Sequence, residues 1–298
     1  MGPTASGKTA LAVALTERFP LAVISVDSAL VYRSLDIGSA KPDAATLARV
    51  PHALIDIRDP AETYSAAEFR ADALAEMHRA TGSGRIPLLV GGTGLYFRAL
   101  AQGLSPLPAA DAEVRTRLAA EAERDGWEAL HRRLARLDPG AAGRIRQGDR
   151  QRLQRALEVI ELSGRPLSEQ QRSQATRPGF RILKLVVDPG PRDGLHRRIE
   201  ERLTLMLEQG FVEEVRALMA RGDLHPGLPA LRAVGYRQAW QHLSGDYDAD
   251  ECFRRALYAT RQLAKRQLTW LRAEYDARWL PPDSDRHADA LRMFLGTS

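Results

Sequence analysis

The sequence predicts an α/β fold in which a doubly wound parallel sheet carries an all-helical insertion. Over the first hundred of the 298 residues, apolar runs of strand length alternate with helical patterns, which is typical of a parallel sheet. A complete phosphate-binding pattern opens the first helix. From Leu104 onward the pattern changes, because stretches rich in Ala, Arg and Glu follow one another without a convincing strand.

The pattern G-x-x-x-x-G-K-[ST] lies at the start of the chain. Its glycines let backbone N–H groups turn toward an anion, Lys8 adds a point charge, and Thr9 offers a hydroxyl to Mg²⁺. The positive end of the following helix dipole adds to this attraction. The sequence therefore predicts a P-loop NTPase-like sheet with a diphosphate site formed by Gly2, Pro3, Thr4, Ala5, Ser6, Gly7, Lys8 and Thr9.

Strand and helix signals follow the loop in alternation. A loop of this kind normally comes after a buried strand, and a single residue precedes it here. Either the natural chain begins further upstream, which we favour, or the sheet lacks its central first strand. Leu21–Val26 is expected to form a buried strand that ends at Asp27. Ser65–Glu68 has the pattern of a capping box that opens a helix. Ile86–Val90 is expected to form a second strand, which runs into the glycine-rich turn around Thr93.

Polar side chains stand at the carboxyl ends of both predicted strands, where ligands of such sheets bind. Asp27 suits general-base chemistry or a water-mediated Mg²⁺ contact, although an aspartate that only caps a loop or helix fits the pattern equally well. Thr93 lies in a turn that glycines open to a ligand, and its hydroxyl suits a substrate contact as well as a tight structural turn. Asp27 and Thr93 are therefore the candidate catalytic residues.

Composition excludes several classes of protein. The chain is 44% hydrophobic and 27% charged, and no apolar run approaches the ~18 residues of a membrane span. The single cysteine, Cys252, excludes an internal disulfide and a Cys-based zinc site. We therefore expect a cytoplasmic protein with no membrane contact.

The change of pattern divides the chain. We predict a P-loop α/β core with C-terminal helices from residues 1–103 and 181–298, and a helical insertion domain from residues 104–180. Ile182–Val187 is expected to return the chain to the sheet. Further helices are expected at about 193–209, 211–221 and 248–273.

The helix predicted near the end of the chain has a basic face. The segment from Phe253 to Arg272 contains six basic residues and no acid. Its stripe of Arg254, Arg261, Lys265 and Arg272 is about 27 Å long, which spans several phosphates of a nucleic acid. A solvated arginine face is the alternative, but ordinary exposed helices mix charges of both signs.

A second basic cluster lies in the predicted insertion. Asp149 is the only acid that opposes it, and the cluster consists of Arg144, Arg146, Arg150, Arg152 and Arg155. Two basic surfaces in separate segments suggest a ligand large enough to contact both.

Taken in order, these segments resemble the bacterial tRNA dimethylallyltransferase family, also called tRNA isopentenyltransferases. The resemblance covers nearly the whole chain. Besides the phosphate loop, it includes Ser25–Arg33, Asp36–Pro42, Asp56–Pro60, Leu89–Tyr96, Gln151–Arg155, Arg232–Arg237 and Arg261–Arg272. Ser39 stands where the family usually has Thr.

The resemblance implies a prenyl transfer. The family moves a dimethylallyl group from dimethylallyl diphosphate to N6 of adenosine 37, beside the anticodon of tRNAs that read codons beginning with U. It needs Mg²⁺, for which Thr9 is the expected ligand, and Arg202 is implied as a further diphosphate contact. Asp27 would orient the adenine amine and accept its proton, and Thr93 would hold the adenine or the migrating group.

We expect a monomer, since the sequence gives no evidence of an obligate protein partner. The resemblance also implies contact with the anticodon stem-loop of tRNA. The implied contact residues are Asp27, Ser28, Ala29, Leu30, Thr93, Arg115, Gln151, Arg152, Leu153, Gln154, Arg155, Arg232, Ala233, Val234, Gly235, Tyr236, Arg237, Lys265, Arg266, Gln267, Leu268, Thr269, Trp270, Leu271 and Arg272.

Three other functions stay open at this point. A P-loop small-molecule kinase would share the loop and the sheet but would have no use for two basic surfaces. An isopentenyltransferase for free adenine nucleotides would have no use for the large insertion. An RNA-binding protein without catalysis would keep the basic surfaces and transfer nothing.

Overall fold

The fold comes from a computed structural model that describes residues 1–171 and 179–281. The chain divides into two compact units, Met1–Ala101 with Pro178–Ser298 and Gln102–Arg177. The first unit is an α/β structure with parallel strands, and the part of the second unit that the structure describes is helical. The predicted α/β class with a parallel sheet is confirmed. No helix among the described residues is long and apolar enough to cross a membrane.

The first unit is built on a parallel sheet with the strand order β2-β1-β3. Its strands are β1 (Leu21–Val26), β2 (His52–Ala53) and β3 (Ile86–Gly91). Strand β1 is apolar along most of its length because it pairs on both sides and is covered on its faces. The register places Val26 opposite Gly91, so β1 and β3 end at the same edge of the sheet.

Four helices surround this sheet. They are α1 (Lys8–Thr16), α2 (Ala44–Arg49), α3 (Ala66–Gly82) and α4 (Gly94–Gln102). The predicted capping box at the start of α3 is present, since Ser65 Oγ accepts from the backbone of Glu68 and the Glu68 carboxylate accepts from the backbone of Ser65. Both predicted strands and this helix start are therefore confirmed.

The second unit has its own hydrophobic core. Its helices are α5 (Ala112–Asp125), α6 (Trp127–Leu137), α7 (Pro139–Ala142), α8 (Arg150–Ser163) and α9 (Leu167–Gln170). Leu118, Leu130, Leu134, Leu153 and Leu157 are fully buried at its centre. The periodic leucines of these helices explain why the segment folds around a separate core.

One strand prediction is wrong. We expected Ile182–Val187 to rejoin the sheet, but only Leu185–Val187 forms a strand, β4, and it pairs with β5 (Arg278–Leu280) in a separate two-stranded sheet. The backbone of Met1 also bonds to Leu185 and Val187 on this strand. An apolar run predicts a strand, but strand partners depend on segments that are distant in the sequence.

A group of helices lies between β4 and β5 in the first unit. They are α10 (Arg192–Glu208), α11 (Phe211–Ala220), α12 (Tyr236–Leu243) and α13 (Ala249–Leu271), with a short 3₁₀ turn at Ala230–Arg232 before α12. Helices α10 and α13 pack together through Leu195, Ile199 and Leu203 against Ala256 and Leu257. The three helices predicted in this region are confirmed within two residues at each end.

Candidate functional site

The phosphate loop enters α1 through a strained turn. Ala5 (φ 58°) and Gly7 (φ 82°) both adopt the left-handed conformation, and Ser6 N donates to Pro3 O at 3.3 Å. Gly7 caps α1 and offers no side chain to the first turn. The N–H groups at the start of the helix therefore stay suited to an anion.

Side chains from two distant helices hold this loop. Arg198 of α10 donates from Nε to Ala5 O at 3.1 Å. Gln267 of α13 accepts from Thr4 N at 2.8 Å through Oε1. The carbonyl and the amide of the loop are thus tied to the helix pair α10 and α13, which fixes the loop before a ligand arrives.

Lys8, Asp27 and Arg202 act on one another through their charges. Burial lowers the pKa of Lys8 from its ordinary value, the negative charge of Asp27 opposes this shift, and the positive charge of Arg202 adds to it. Lys8 Nζ also donates to Pro3 O at 3.3 Å. An anion bound between Lys8 and Arg202 would favour the ammonium form of Lys8, so the arrangement suits a phosphate group.

Asp27 and Thr93 lie together at the end of β1 and β3. Thr93 N donates to Val26 O at 3.2 Å, and Thr93 Oγ1 accepts from Ser28 N at 3.1 Å. Asp27 Oδ1 accepts from Ala29 N at 2.9 Å, which fixes the carboxylate in a short turn. The structure thus brings the two candidate catalytic residues to one sheet edge, and the charge of Asp27 acts on Lys8.

A cavity of about 550 Å³ opens along α1. Thr9 and Arg202, the expected Mg²⁺ ligand and diphosphate contact, both line it. Lys41, Thr46 and Arg49 also line it. The cavity is large enough for a small organic diphosphate, and Thr9 is the one phosphate-loop residue in its lining.

The predicted tRNA residues of α13 divide between two faces of the helix. Lys265, Arg266, Thr269 and Arg272 are exposed, whereas Leu271 is fully buried. Within residues 1–171 and 179–281, none of the three cations in this group has an acidic partner within 4 Å. The remaining residues of this predicted run, Gln267, Leu268 and Trp270, are partly buried.

The prediction that the basic stripe has no compensating acid is wrong for its first half. Glu251 accepts from Arg254 at 2.9 Å and from Arg255 at 2.7 Å. Glu200 of α10 accepts from Arg261 at 2.8 Å. The acids were missed because one lies just before the segment and the other lies on a different helix.

The basic cluster of the second unit is also more neutral than we expected. Asp149 pairs with Arg152, as its position suggested, but it is not the only opposing acid. The fully buried carboxylate of Glu158 accepts from Arg115 at 2.9 Å and from Arg155 at 2.7 Å.

The other predicted tRNA residues of this unit differ in exposure. Gln151 is exposed, Gln154 donates to the Arg115 backbone at 2.8 Å, and Leu153 is a core residue.

The segment Arg232–Arg237 is organised by a residue that the sequence did not reveal. Arg232 and Arg237 are exposed, Ala233 and Val234 are partly buried, and Gly235 is buried. The hydroxyl of buried Tyr236 donates to Glu214 at 2.5 Å, and burial with this carboxylate raises the pKa of Tyr236. Glu214 also accepts from the backbone of Asp36, Ile37 and Gly38.

Lys41 is a second organising residue that was missed. Its side chain, only 5% exposed, donates to Tyr32 O at 3.1 Å and to carboxylate oxygens of Asp36 and Asp56 at 2.5 Å each. These bonds hold the chain at Tyr32 and Asp36, a few residues after Ser28, Ala29 and Leu30, and Leu30 O accepts from the backbone of Asp56. The sequence signals were that Lys41 is one of four lysines in an arginine-rich chain and that it lies in the segment Asp36–Pro42, which is part of the resemblance.

Sequence comparisons find this chain similar to prenyl-transferring enzymes. The family model described as IPP transferase matches residues 30–274. A tRNA dimethylallyltransferase of Stenotrophomonas maltophilia is 57% identical over 303 residues, which cover 99% of this chain and 96% of that protein.

Solved structures are similar as well. The full-length tRNA isopentenylpyrophosphate transferase of Bacillus halodurans is 35% identical with a TM-score of 0.71, and the match covers 99% of this chain and 94% of that chain. A eukaryotic dimethylallyltransferase acting on tRNA is 24% identical with a TM-score of 0.83, covering 99% of this chain and 78% of that chain, and it supports the fold alone.

Proposed function

The chain belongs to the IPP transferase family, and we propose that its phosphate loop holds the diphosphate of dimethylallyl diphosphate while Asp27 receives a proton from an adenine amine of tRNA. Its activity is the transfer of a dimethylallyl group to tRNA. The observation that carries the residue assignment is the meeting of Lys8, Arg202, Asp27 and Thr93 in one unit, around the common edge of β1 and β3.

The phosphate loop is the donor half of the proposed site, in a sheet that we take to be the core of a P-loop fold. The diphosphate is the leaving group, so its negative charge grows as the allylic carbon–oxygen bond breaks. Lys8, Arg202 and the N–H groups at the start of α1 would stabilise that charge where it develops.

Mg²⁺ fits this half of the site as a shared ion. Its preferred ligands are oxygens, and Thr9 offers a hydroxyl beside the loop cations. Among the described residues no three His, Cys, Asp or Glu side chains lie close enough to form a metal cage, so Thr9 and the diphosphate oxygens would hold the ion together. When bound, Mg²⁺ would neutralise charge on the departing diphosphate.

Asp27 and Thr93 are the acceptor half of the proposed site. The amine of adenine is a poor nucleophile because its lone pair is delocalised into the ring, so a positioned base contributes about 10²–10⁴-fold. We propose that the acceptor is N6 of adenosine 37 and that this base leaves the stack of the anticodon loop to reach Asp27. Thr93 Oγ1 would then contact the adenine or the migrating group.

The anticodon arm would be bound through exposed cations. Lys265, Arg266 and Arg272 in the first unit offer charge without an acidic partner among the described residues. In the helical unit, which we propose also contacts tRNA, Gln151 and Arg152 are exposed. We expect the protein to act as a monomer in the cytoplasm.

The other functions considered for the sequence are less compatible with these findings. A small-molecule kinase does not account for the family match, and the relatives are named for tRNA rather than for free nucleotides. A purely RNA-binding protein does not require the loop cations to face a carboxylate at a sheet edge.

A transfer assay tests the proposal. Label from dimethylallyl diphosphate should enter an anticodon stem-loop with adenosine at position 37, and no γ-phosphate should move from ATP. Label that enters AMP but not tRNA would favour the nucleotide enzyme, and tRNA binding without transfer would favour the non-catalytic protein.

A second experiment tests Asp27 itself. Asp27→Asn keeps the shape of the side chain, and it should lower the rate at saturating substrates by about 10²–10⁴-fold while tRNA affinity stays within several-fold of wild type. Weak tRNA binding together with an unchanged rate at saturating tRNA would contradict the base role.

A further inference from the structure

We propose that Gln267 is a positioning residue, which sets the distance between the donor loop and the Thr93 turn through the two ends of one side-chain amide. The inference rests on the proposed function. It assigns Gln267 a role inside the site, although the residue lies in a segment whose resemblance implies tRNA contact.

The hydrogen bonds define both ends of the amide. Gln267 Oε1 accepts from Thr4 N at 2.8 Å, and Nε2 donates to Gly92 O at 3.0 Å. Thr4 belongs to the phosphate loop, and Gly92 immediately precedes Thr93. One neutral side chain that both accepts and donates therefore joins the two halves of the site.

Close packing leaves this link little freedom. A Cβ on Gly92 would clash with Gln267 Nε2 and would lie 3.2 Å from Gly2 O. A Cβ on Gly94 would lie 2.5 Å from the ring of Trp270, three residues further along the same face of α13. The turn thus rests directly on α13, and glycine at both positions permits that approach.

Exposure separates Gln267 from its tRNA-facing neighbours. Lys265, Arg266 and Thr269 are exposed on the outer face of α13, whereas Gln267 is partly buried and its polar atoms are bonded inward. We therefore expect loss of Gln267 to affect the chemical step more than tRNA affinity.

Prenyl transfer depends on the spacing that this link controls. The donor carbon and the acceptor nitrogen must approach to about 3–3.5 Å, and a displacement of about 1 Å can cost about 10²-fold in rate. In the proposed site the phosphate loop carries the donor, and the Thr93 turn contacts the acceptor. A change in the distance between loop and turn would therefore change the distance between the reacting atoms, although Gln267 contacts neither of them.

Gln267→Glu tests this role through pH. The ionised carboxylate still accepts from Thr4 N, but its second oxygen faces the carbonyl of Gly92 at hydrogen-bond distance and repels it. Protonation of that oxygen restores a donor. The rate of the variant relative to wild type should therefore be about 10- to 100-fold low at alkaline pH and should recover as the pH falls.

The ratio to wild type isolates the effect of the introduced carboxylate. The charged groups of the site and of the helices around it, which include Lys8, Asp27, Arg198, Arg202, Lys265 and Arg266, are the same in both proteins. The ratio therefore reports the introduced carboxylate. Gln267→Met is the matched control, because it has similar volume and neither bond, and its low relative rate should not change with pH. Circular dichroism would verify that both variants are folded.

The outcomes separate this proposal from the proposed function. Weaker tRNA binding with a normal single-turnover rate would make Gln267 a tRNA contact and overturn the proposal, as would a pH-independent ratio for Gln267→Glu. A wild-type protein that transfers no label would contradict the proposed function instead. In that case faster hydrogen exchange at the Thr4 amide in Gln267→Met would still support the link, and unchanged exchange would refute it.

Discussion

Helices α8 and α13 both carry runs of basic residues, yet the structure uses their charges differently. Arg155 of α8 binds Glu158, a fully buried carboxylate that also accepts from Arg115 of α5. Lys265 and Arg266 of α13 have no acidic partner within 4 Å among the residues that the structure describes. A run of basic residues thus has two different roles. In the helical unit its arginines pair with a buried acid and support the fold, and in the first unit its cations are available to a ligand.

Burial explains the difference. A carboxylate taken out of water requires partners that replace its hydration, so Glu158 recruits two arginines and the backbone N–H of Asp111. One face of the last turns of α13 lies at the surface, where the side chains of Lys265 and Arg266 are hydrated by solvent. A basic run therefore indicates an anion site only where no buried acid lies beneath it.

The largest effect is expected from Glu158→Gln. This change removes the buried charge that holds Arg115 and Arg155, and we expect a loss of about 3 kcal/mol in the stability of the helical unit. Urea denaturation, with hydrogen exchange of α5 to α8 as the local probe, would measure it. An unchanged urea midpoint would mean that the pairs of Glu158 with Arg115 and Arg155 contribute no stability. It would contradict the contrast between α8 and α13.

Acid should produce a related but smaller effect. Burial alone would raise the pKa of Glu158, but hydrogen bonds from Arg155, Arg115 and the Asp111 backbone outweigh it and hold that pKa below its ordinary value. A lowered folded-state pKa adds stability above the unfolded-state pKa, and this stability is lost as the pH falls through the folded value.

The helical unit should therefore lose stability below about pH 4, and Glu158→Gln should show a shallower acid dependence. The pKa of Asp138 in the same unit is also lowered, since its hydrogen bonds to Ser168 and Ala141 outweigh burial, so some acid dependence should remain in the variant. Thermal unfolding at several pH values measures both curves. Parallel curves for the two proteins would show that Glu158 does not contribute.

Lys265→Ala tests whether the charge on α13 is available to tRNA. Loss of one phosphate contact should weaken binding and reduce the slope of log affinity against log salt by roughly one unit. Filter binding at several salt concentrations measures the slope. Arg155→Ala is the comparison variant and should change the slope less, because Arg155 is already neutralised. Equal changes would show that the pair with Glu158 opens when tRNA binds.

Glu251→Gln should have the smallest effect. Glu251 pairs with two arginines, as Glu158 does, but it lies on the exposed first turn of α13. Solvent screens such pairs, so the unfolding midpoint should stay within error of wild type. A clear loss of stability would show that burial is not what distinguishes the two carboxylates.

Much of the local structure could be predicted from the amino-acid sequence alone. Strand Leu21–Val26, the capping box at Ser65 and helices α10, α11 and α13 lie where their patterns predicted, because hydrophobic periodicity and capping act between residues a few positions apart. The strand patterns also predicted that Asp27 and Thr93 follow the ends of two strands. Because these strands are parallel neighbours, their ends lie at one edge of the sheet, and the two residues come close together.

Contacts between residues that are distant in the sequence could not be predicted and became visible with the fold. Strand β4 pairs with β5 instead of joining the sheet, Glu200 and Glu158 neutralise arginines that had seemed free, and Gln267 reaches Thr4 across 263 positions of the chain. Each of these contacts depends on how whole elements pack, and no short window of sequence contains both partners. The sequence shows which side chains carry a charge or an amide, but the packing of the helices and strands determines which group each of them contacts.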